Sequence, residues 1–164
     1  MLNIKEGFEQ EFKRRMINLN RENEFSDVIF LCIGTSKIIG DAIGPILGSN
    51  LKNIENEFIH VYGTIENNLH FNNTKNIIES ISRNYRNPCI VSIDAALSNK
   101  NNIGDIVIGS GFIKLGKALN KSFGVYSDIN IKCIVGNYYS DREKNLTILR
   151  NVSVDEIIKI SNTL

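Results

Sequence analysis

Short, continuous apolar runs alternate along this chain with stretches in which apolar residues recur every three or four positions. The recurring pattern predicts helices over about residues 3–19 and 74–85, because it gathers apolar side chains on one helix face. The continuous runs predict strands that are covered on both faces of a sheet. Five such strands are predicted, at residues 27–33, 58–62, 88–93, 105–108 and 130–135.

Proline and capping residues predict three further helices. Pro45 is tolerated only in the first turn of a helix, so a helix should start near residues 42–44 and run to about Lys52. Ser140–Glu143 and Ser153–Glu156 both have the spacing of a capping box, which predicts a helix start at each serine.

The alternation of strands and helices predicts an α/β fold, a three-layer α/β/α sandwich with a mostly parallel sheet. We expect one α/β domain over residues 1–164, with residues 1–24 as an N-terminal helical extension.

Charge and composition narrow the function classes. Lys and Arg number 19 against 18 Asp and Glu, and this balance argues against nucleic-acid binding. No apolar run approaches the ~20 residues of a membrane span, and the first residues lack an apolar signal core, so we expect a cytoplasmic protein without a membrane segment. Cys32, Cys89 and Cys133 lie in apolar runs without metal-ligand spacing, which predicts buried, reduced thiols.

Two aspartates follow predicted strands. Asp41 comes after the first strand and a glycine-bounded turn, and Asp94 ends the third strand. The carboxyl ends of parallel strands meet at one sheet edge, so we expect a shared site. Each residue also has a structural alternative: Asp41 could cap the helix that follows, and Asp94 could form a turn. The apolar neighbours of Asp94 should raise its pKa, which suits a general acid.

The glycines at positions 34, 40 and 44 resemble a phosphate-binding loop only loosely. The segment lacks the Lys-Ser/Thr of a P-loop and the spacing of a dinucleotide fingerprint, so we expect tight turns and close backbone approach.

Two histidines and a lysine-rich segment complete the set of candidates. His60 lies inside a predicted strand, which favours a structural role. His70 follows the second strand in a polar loop, and it is either an ordinary loop residue or a residue that reaches the cleft. The segment Lys114–Lys121 is either a solvated loop or a lip that engages a substrate.

Four short motifs resemble those of the YyaC-type sporulation proteins, a family to which a spore-protease role is attributed. The motifs are Ile33-Gly34-Thr35, Gly40–Pro45, Val61–Thr64 and Ile93-Asp94-Ala95. That family is similar to the germination protease that degrades small acid-soluble spore proteins, and more distantly to hydrogenase maturation endopeptidases. The two catalytic aspartates of the germination protease lie in an Asp-Ala-Leu-Gly-Pro stretch and before an Ala at the end of an apolar strand. Asp41 and Asp94 match these two places.

The resemblance implies a phosphorylase/hydrolase-like fold, a protein or peptide substrate, and a location in the sporulating cell or forespore. His70 falls where the family carries a His, and Asn120-Lys121 resembles an Asn-Lys pair in its glycine-rich loop. The substrate-binding candidates are Gly34, Thr35, Ser36, Gly40, His70, Asn120 and Lys121. Hydrogenase-type relatives hold nickel with acidic residues and a histidine that has no convincing counterpart here, so neither a metal nor another cofactor is expected.

We therefore expect an endopeptidase in which Asp41 and Asp94 activate water and backbone N–H groups of residues 35–40 stabilise the oxyanion. Two alternatives stay open. One is a non-catalytic binding or regulatory member, because Ser36 stands where the family usually has Asp and the loop at residues 116–121 differs. The other is a small-molecule hydrolase or phosphorylase, because one architecture hosts several chemistries. The sequence sets no oligomeric state.

Overall fold

The computed structural model describes residues 4–115 and 123–164. In chain order the elements are α1 (Ile4–Asn23), β1 (Asp27–Cys32), a 3₁₀ turn (Ile39–Asp41), α2 (Ile43–Leu51), a second 3₁₀ turn (Lys52–Ile54), β2 (Ile59–Tyr62), α3 (Phe71–Asn84), β3 (Pro88–Leu97), β4 (Ile106–Leu115), β5 (Phe123–Gly136), α4 (Arg142–Asn151) and α5 (Val154–Ser161). The strands form one sheet in the order β2-β1-β3-β5-β4. Neighbouring strands are parallel except for β4, which runs antiparallel to β5.

Helices cover both faces of the sheet. On one face, apolar side chains of α1, α2, α4 and α5 pack against a core that includes Phe30, Val91 and Ile131. On the other face, α3 packs against Ile29 and Leu31. The mostly parallel α/β/α sandwich predicted from the apolar runs is therefore confirmed.

The β4–β5 hairpin is longer than predicted. Its outer part pairs Phe112 with Tyr126 and Ile113 with Val125, where β3 no longer pairs with β5. Ile113 and Val125 are buried in the core on the α3 face, whereas Phe112 and Tyr126 are exposed. Such alternation marks a strand covered on one face, so a search for continuous apolar runs finds only its inner part.

One of the two predicted capping boxes forms. Ser153 Oγ accepts from the Glu156 N–H at 3.1 Å, and Glu156 Oε2 accepts from the Ser153 N–H at 3.3 Å. The other prediction is wrong, because the N-cap of α4 is Asp141. Its Oδ1 accepts from the backbone N–H groups of residues 143 and 144 at 2.8 and 3.1 Å. A carboxylate caps a helix as well as a hydroxyl does, so the neighbouring Asp takes the position.

The outer edge of β2 is closed by side chains. Glu55 Oε1 accepts from the Val61 N–H at 3.0 Å. Asn56 Oδ1 accepts from the N–H groups of Phe58 and Ile59 at 2.8 and 3.0 Å. These bonds satisfy backbone donors that face away from β1.

Cys32, Cys89 and Cys133 are buried and free, as predicted. Burial raises the pKa of each thiol to about 12. Among the described helices, none combines the length and apolar character that a membrane crossing needs.

Candidate active site

The register of the sheet places Asp94 just beyond the end of β1. Cys32 is the last residue of β1, and it lies opposite Ile93 in the parallel pair with β3. Asp94 is the next residue of β3, which continues to Leu97 along β5. It is therefore neither a turn residue nor the last residue of its strand, as the sequence had suggested. The chain leaves β1 for β2 on one side and returns to β3 on the other, so this is a topological switch point, where open α/β sheets bind ligands.

The turn after β1 folds over Asp41. The Thr35 N–H donates to Asp41 Oδ2 at 2.9 Å and to the Asp41 carbonyl oxygen at 3.1 Å. Gly34 has φ 141°, and a Cβ there would collide with the same carbonyl oxygen. Only glycine fits this close approach.

Asp41 does not cap α2, although the sequence allowed that role. It ends the 3₁₀ turn, and the N-cap of α2 is Ala42, whose side chain offers no oxygen. The carboxyl is thereby directed to Thr35 instead of to the first turn of the helix.

A cleft of about 760 Å³ contains both aspartates. His70 and Thr35 line it as well, together with Gly34 from the turn. Five predicted site residues, from the turn after β1, from β3 and from the start of α3, thus meet in one place. The same cleft also contains Phe112 and Lys114, which belong to the outer part of the β4–β5 hairpin. This part of the hairpin packs on the α3 face of the sheet.

Burial dominates the acidity of both carboxyls. It raises the pKa of Asp41 to about 7, and the Thr35 N–H offsets only part of this effect. Burial also raises the pKa of Asp94 well above its usual range. The negative charge of Asp41 raises it further, whereas the Lys132 ammonium and the Ala95 N–H lower it. Two coupled carboxyls with raised pKa values hold at least part of a proton near neutral pH.

His70 is the N-cap residue of α3 and faces the cleft. Its backbone N–H donates to Asn73 Oδ1 at 2.9 Å. Its Nδ1 is buried and has no hydrogen-bond partner among the residues that the structure describes. Buried ring nitrogens without a partner are rare in native structures, which makes His70 a candidate for a functional role.

Two of the predicted binding residues serve the scaffold instead. Ser36 does not line the cleft, and its Oγ and backbone N–H donate to Asn68 Oδ1 at 3.1 and 3.0 Å. Gly40 packs against α4, where a Cβ would lie 2.6 Å from the Leu149 carbonyl oxygen. Asn120 and Lys121 lie outside the described residues.

The N–H groups proposed for the oxyanion are largely engaged within the turn. Thr35 donates to Asp41, Ser36 donates to Asn68, and the Lys37 N–H donates to Thr35 Oγ1 at 3.3 Å. This arrangement orders the turn and contradicts the expectation that these three donors are available to a substrate oxygen.

The cleft also contains Lys132, which the sequence reading did not select. Lys132 lies opposite Asp94 in the β3–β5 pair and lines the cleft. It stands within the apolar run at residues 130–135, where a single charged residue has little weight in a search for buried strands. A lysine inside a predicted buried strand is the signal that could have identified it, because lysine is almost never fully buried without a charged partner.

The residues in the cleft do not fit a metal ion. Within residues 4–115 and 123–164, no three His, Cys, Asp or Glu side chains are grouped as metal ligands. His70 and the two aspartates share the cleft without forming such a group.

Comparison with known proteins places the chain in a family. Residues 3–164 match the family described as "Protein of unknown function (DUF1256)". The chain belongs to this family. It is also 31% identical over 137 residues to the "Uncharacterized protein YyaC" of Bacillus subtilis (strain 168). The match covers 84% of this chain and 65% of that protein, so the chain spans just under two thirds of its relative. The resemblance stated from the motifs is thus confirmed.

Two solved structures are more distantly similar. The [NiFe] hydrogenase maturation protease HycI from Thermococcus kodakarensis KOD1 is 17% identical, with a TM-score of 0.49, and the match covers 84% of this chain and 94% of that one. For the [NiFe] hydrogenase maturation protease HybD from Thermococcus kodakarensis the values are 18% identity and a TM-score of 0.39, with 83% and 97% covered. Similarity at this level carries no argument about activity.

Proposed function

We propose that this protein is an aspartate-dependent hydrolase that cleaves peptide bonds, with Asp41 and Asp94 as its catalytic pair. The observation that carries the proposal is the placement of two electrostatically coupled carboxyls in one cleft at the switch point of the sheet, both with a raised pKa. Perturbed carboxyl pairs in clefts are typical of acid–base chemistry.

The different environments of Asp41 and Asp94 suggest different roles in acid–base catalysis. Asp41, with a pKa of about 7, is suited to take a proton from the attacking water near neutral pH. Asp94, whose pKa is raised well above its usual range, holds a proton that it can give to the carbonyl oxygen or to the leaving amine. Because the N–H groups of Thr35, Ser36 and Lys37 are engaged within the turn, the protonated Asp94 also serves as a donor to the developing negative charge.

Substrate binding involves Gly34, Thr35 and His70, which line the cleft beside the catalytic pair. A volume of about 760 Å³ suits a short peptide segment or a small molecule. The resemblance to spore proteases favours an unstructured protein substrate such as a small acid-soluble spore protein, acted on in the cytoplasm of the sporulating cell or forespore. Asn120 and Lys121 stay candidates for contacts with that substrate.

The proposal is tested by peptide cleavage in the full chain. Small acid-soluble spore protein and other unstructured basic peptides serve as substrates for the wild type, Asp41→Asn, Asp94→Asn and the double variant. We expect each single change to abolish cleavage and the double change to add almost nothing, because the pair acts as one unit.

Asp155→Asn is the matched control. Asp155 is exposed in the first turn of α5, and it does not line the cleft. Its substitution should leave cleavage intact, and circular dichroism should show that all variants fold. Full activity in either cleft variant would remove that aspartate from the mechanism. A wild type that cleaves none of these peptides would favour the non-catalytic member of the family.

A further inference from the structure

Lys132 lies beside Asp94 on the neighbouring strand. Parallel pairing places the two residues directly opposite each other, so their side chains leave the same face of the sheet. Adjacent strands are about 4.8 Å apart, which brings the lysine side chain within reach of the carboxyl group. Val107 of β4 flanks Lys132 on its other side, and all three residues line the cleft.

The ammonium group of Lys132 forms no ion pair with another group in the described part of the chain. Six ion pairs occur there, and none includes Lys132. No hydrogen bond from its Nζ is formed within the same residues. An ammonium group without a partner, in a cleft that contains two carboxyls, acts on them through space.

The groups that face Asp94 come from several elements. Asp41, from the 3₁₀ turn, disfavours its ionised form, whereas Lys132 and the Ala95 N–H favour that form. The thiol of Cys133 has a pKa of about 12 and stays neutral. His70, the N-cap of α3, and Lys114 of β4 line the same cleft, but neither is among the main causes of the pKa shift of Asp94. Lys132, on the neighbouring strand, is therefore the side-chain cation that mainly lowers the pKa of this carboxyl.

We propose that Lys132 is a positioning residue of the hydrolytic site: its ammonium group offsets the negative charge of the carboxyl pair and allows Asp94 to release its proton to the substrate. This inference rests on the proposed function. A general acid that holds its proton too tightly is a poor donor near neutral pH, so burial and Asp41 alone would disable Asp94. Lys132 counters both effects from the next strand.

The test measures the titration of the two aspartates directly. The full chain is labelled with ¹³C at the aspartate carboxyl carbons, and the signals of Asp41 and Asp94 are assigned by their loss in Asp41→Asn and Asp94→Asn. In Lys132→Met we expect the midpoint of Asp94 to rise by about one pH unit or more. In Lys132→Arg, which keeps the charge, it should stay close to the wild-type value. Lys132→Gln provides a second neutral variant if the methionine disturbs folding.

Lys114→Met is the matched control, since it removes a cation from the same cleft that does not pair opposite Asp94 and is not among the main causes of its pKa shift. It should leave the Asp94 midpoint unchanged. In the cleavage assay, Lys132→Met should lower kcat about tenfold or more with little change in KM and move the alkaline limb of the pH profile upward, and Lys132→Arg should restore both.

The outcomes separate the two proposals. An unchanged Asp94 midpoint in folded Lys132→Met overturns the role of Lys132, even if the wild type cleaves peptides. An equal shift in Lys114→Met also overturns it, because the effect would then belong to the net charge of the cleft. A shifted midpoint in a protein that cleaves no peptide supports the charge coupling and overturns the proposed function instead.

Discussion

At the two ends of the sheet, the pKa values of aspartate carboxyls are shifted in opposite directions. At the amino end of β1, Asp27 accepts hydrogen bonds from Ser26 Oγ at 2.5 Å and from His60 Nε2 at 3.1 Å. The Ser26 bond is the main reason that the pKa of Asp27 is lowered, with His60 a lesser contributor. In the cleft at the other end, Asp41 has one backbone donor, and burial raises its pKa to about 7.

The pKa of an aspartate in this protein thus depends on how deeply the carboxyl is buried and on how many donors it has. Asp27 and His60 form a partly buried hydrogen bond, and the His60 ring packs against Tyr85 at 4.6 Å between centroids. This contact agrees with the structural role expected for His60. The aspartates of the cleft are under-supplied with donors, which leaves them a proton to exchange. Burial dominates the pKa of the two cleft aspartates, whereas the Ser26 hydrogen bond outweighs burial at Asp27.

The largest expected effect is on activity. If the comparison holds, Asp94→Asn should lower peptide cleavage by about 10²-fold or more, in the range of general acid–base catalysis. Asp27→Asn should leave the rate within about twofold of the wild type, because Asp27 lies away from the cleft. Initial rates at fixed substrate measure both. Equal losses in the two variants would erase the distinction between the sites.

The second expected effect is on how the free energy of unfolding depends on pH. Asp41 has a raised pKa in the folded state, so its contribution to folding is fully present below about pH 4 and is lost as pH rises through about 7. From a shift of about three units, and allowing for partial exposure, the wild type should lose about 2–4 kcal/mol relative to Asp41→Asn across this window. Urea unfolding of both proteins at pH 4.5 and 8 measures the difference.

Asp27 should show the reverse dependence. Its pKa is lowered on folding, so its contribution is present above about pH 4 and is lost as pH falls through the folded-state value. Asp27→Asn should therefore lose stability relative to the wild type at pH 7 and approach it in acid. If the free energy of unfolding changed with pH in the same way in Asp27→Asn and Asp41→Asn, the contrast between the two sites would be wrong.

A smaller effect concerns the turn that holds Asp41. Gly34→Ala introduces a Cβ that collides with the Asp41 carbonyl oxygen at a positive φ, and we expect a loss of about 2–3 kcal/mol. Gly104→Ala is the matched control, because Gly104 also has a positive φ (92°) but nothing lies within 4 Å of its added Cβ. It should cost only about 1 kcal/mol of backbone strain. Similar losses in chemical denaturation would mean that the close approach to Asp41 is unimportant.

The smallest effect is expected from the thiols. Cys32, Cys89 and Cys133 are buried, and burial raises each pKa to about 12. Ellman's reagent should therefore react slowly with the native protein. After denaturation it should react with all three thiols. A thiol that reacts quickly and whose loss stops cleavage would add a nucleophile to the site and weaken the two-aspartate mechanism.

Features set by local patterns were predictable from the sequence. The apolar runs located β1 and β3, and Pro45 located the start of α2, because each depends on nearby residues alone. The shared location of Asp41 and Asp94 was also predictable, because the carboxyl ends of parallel strands meet at one edge of a sheet. The paired arrangement of β1 and β3 is the expected one.

Features set by contacts between distant segments were not predictable. No local signal shows that a 3₁₀ turn separates Asp41 from α2, or that Asn68 engages Ser36. Lys132 gains its importance only from its register opposite Asp94, which depends on the pairing of strands more than 30 residues apart. Gly40 likewise is a packing position against α4, although its sequence motif suggested a binding turn.

The closed edge of β2 limits how this protein can associate with other chains. An exposed edge strand invites another strand to extend the sheet, which leads to polymerisation. Here the outward N–H groups of Ile59 and Val61 are already bonded to Asn56 and Glu55, so an incoming strand finds no donors at those two positions. Two side chains from the preceding loop thus oppose the addition of a further strand at β2, and with it the growth of the sheet from one copy of the protein to the next.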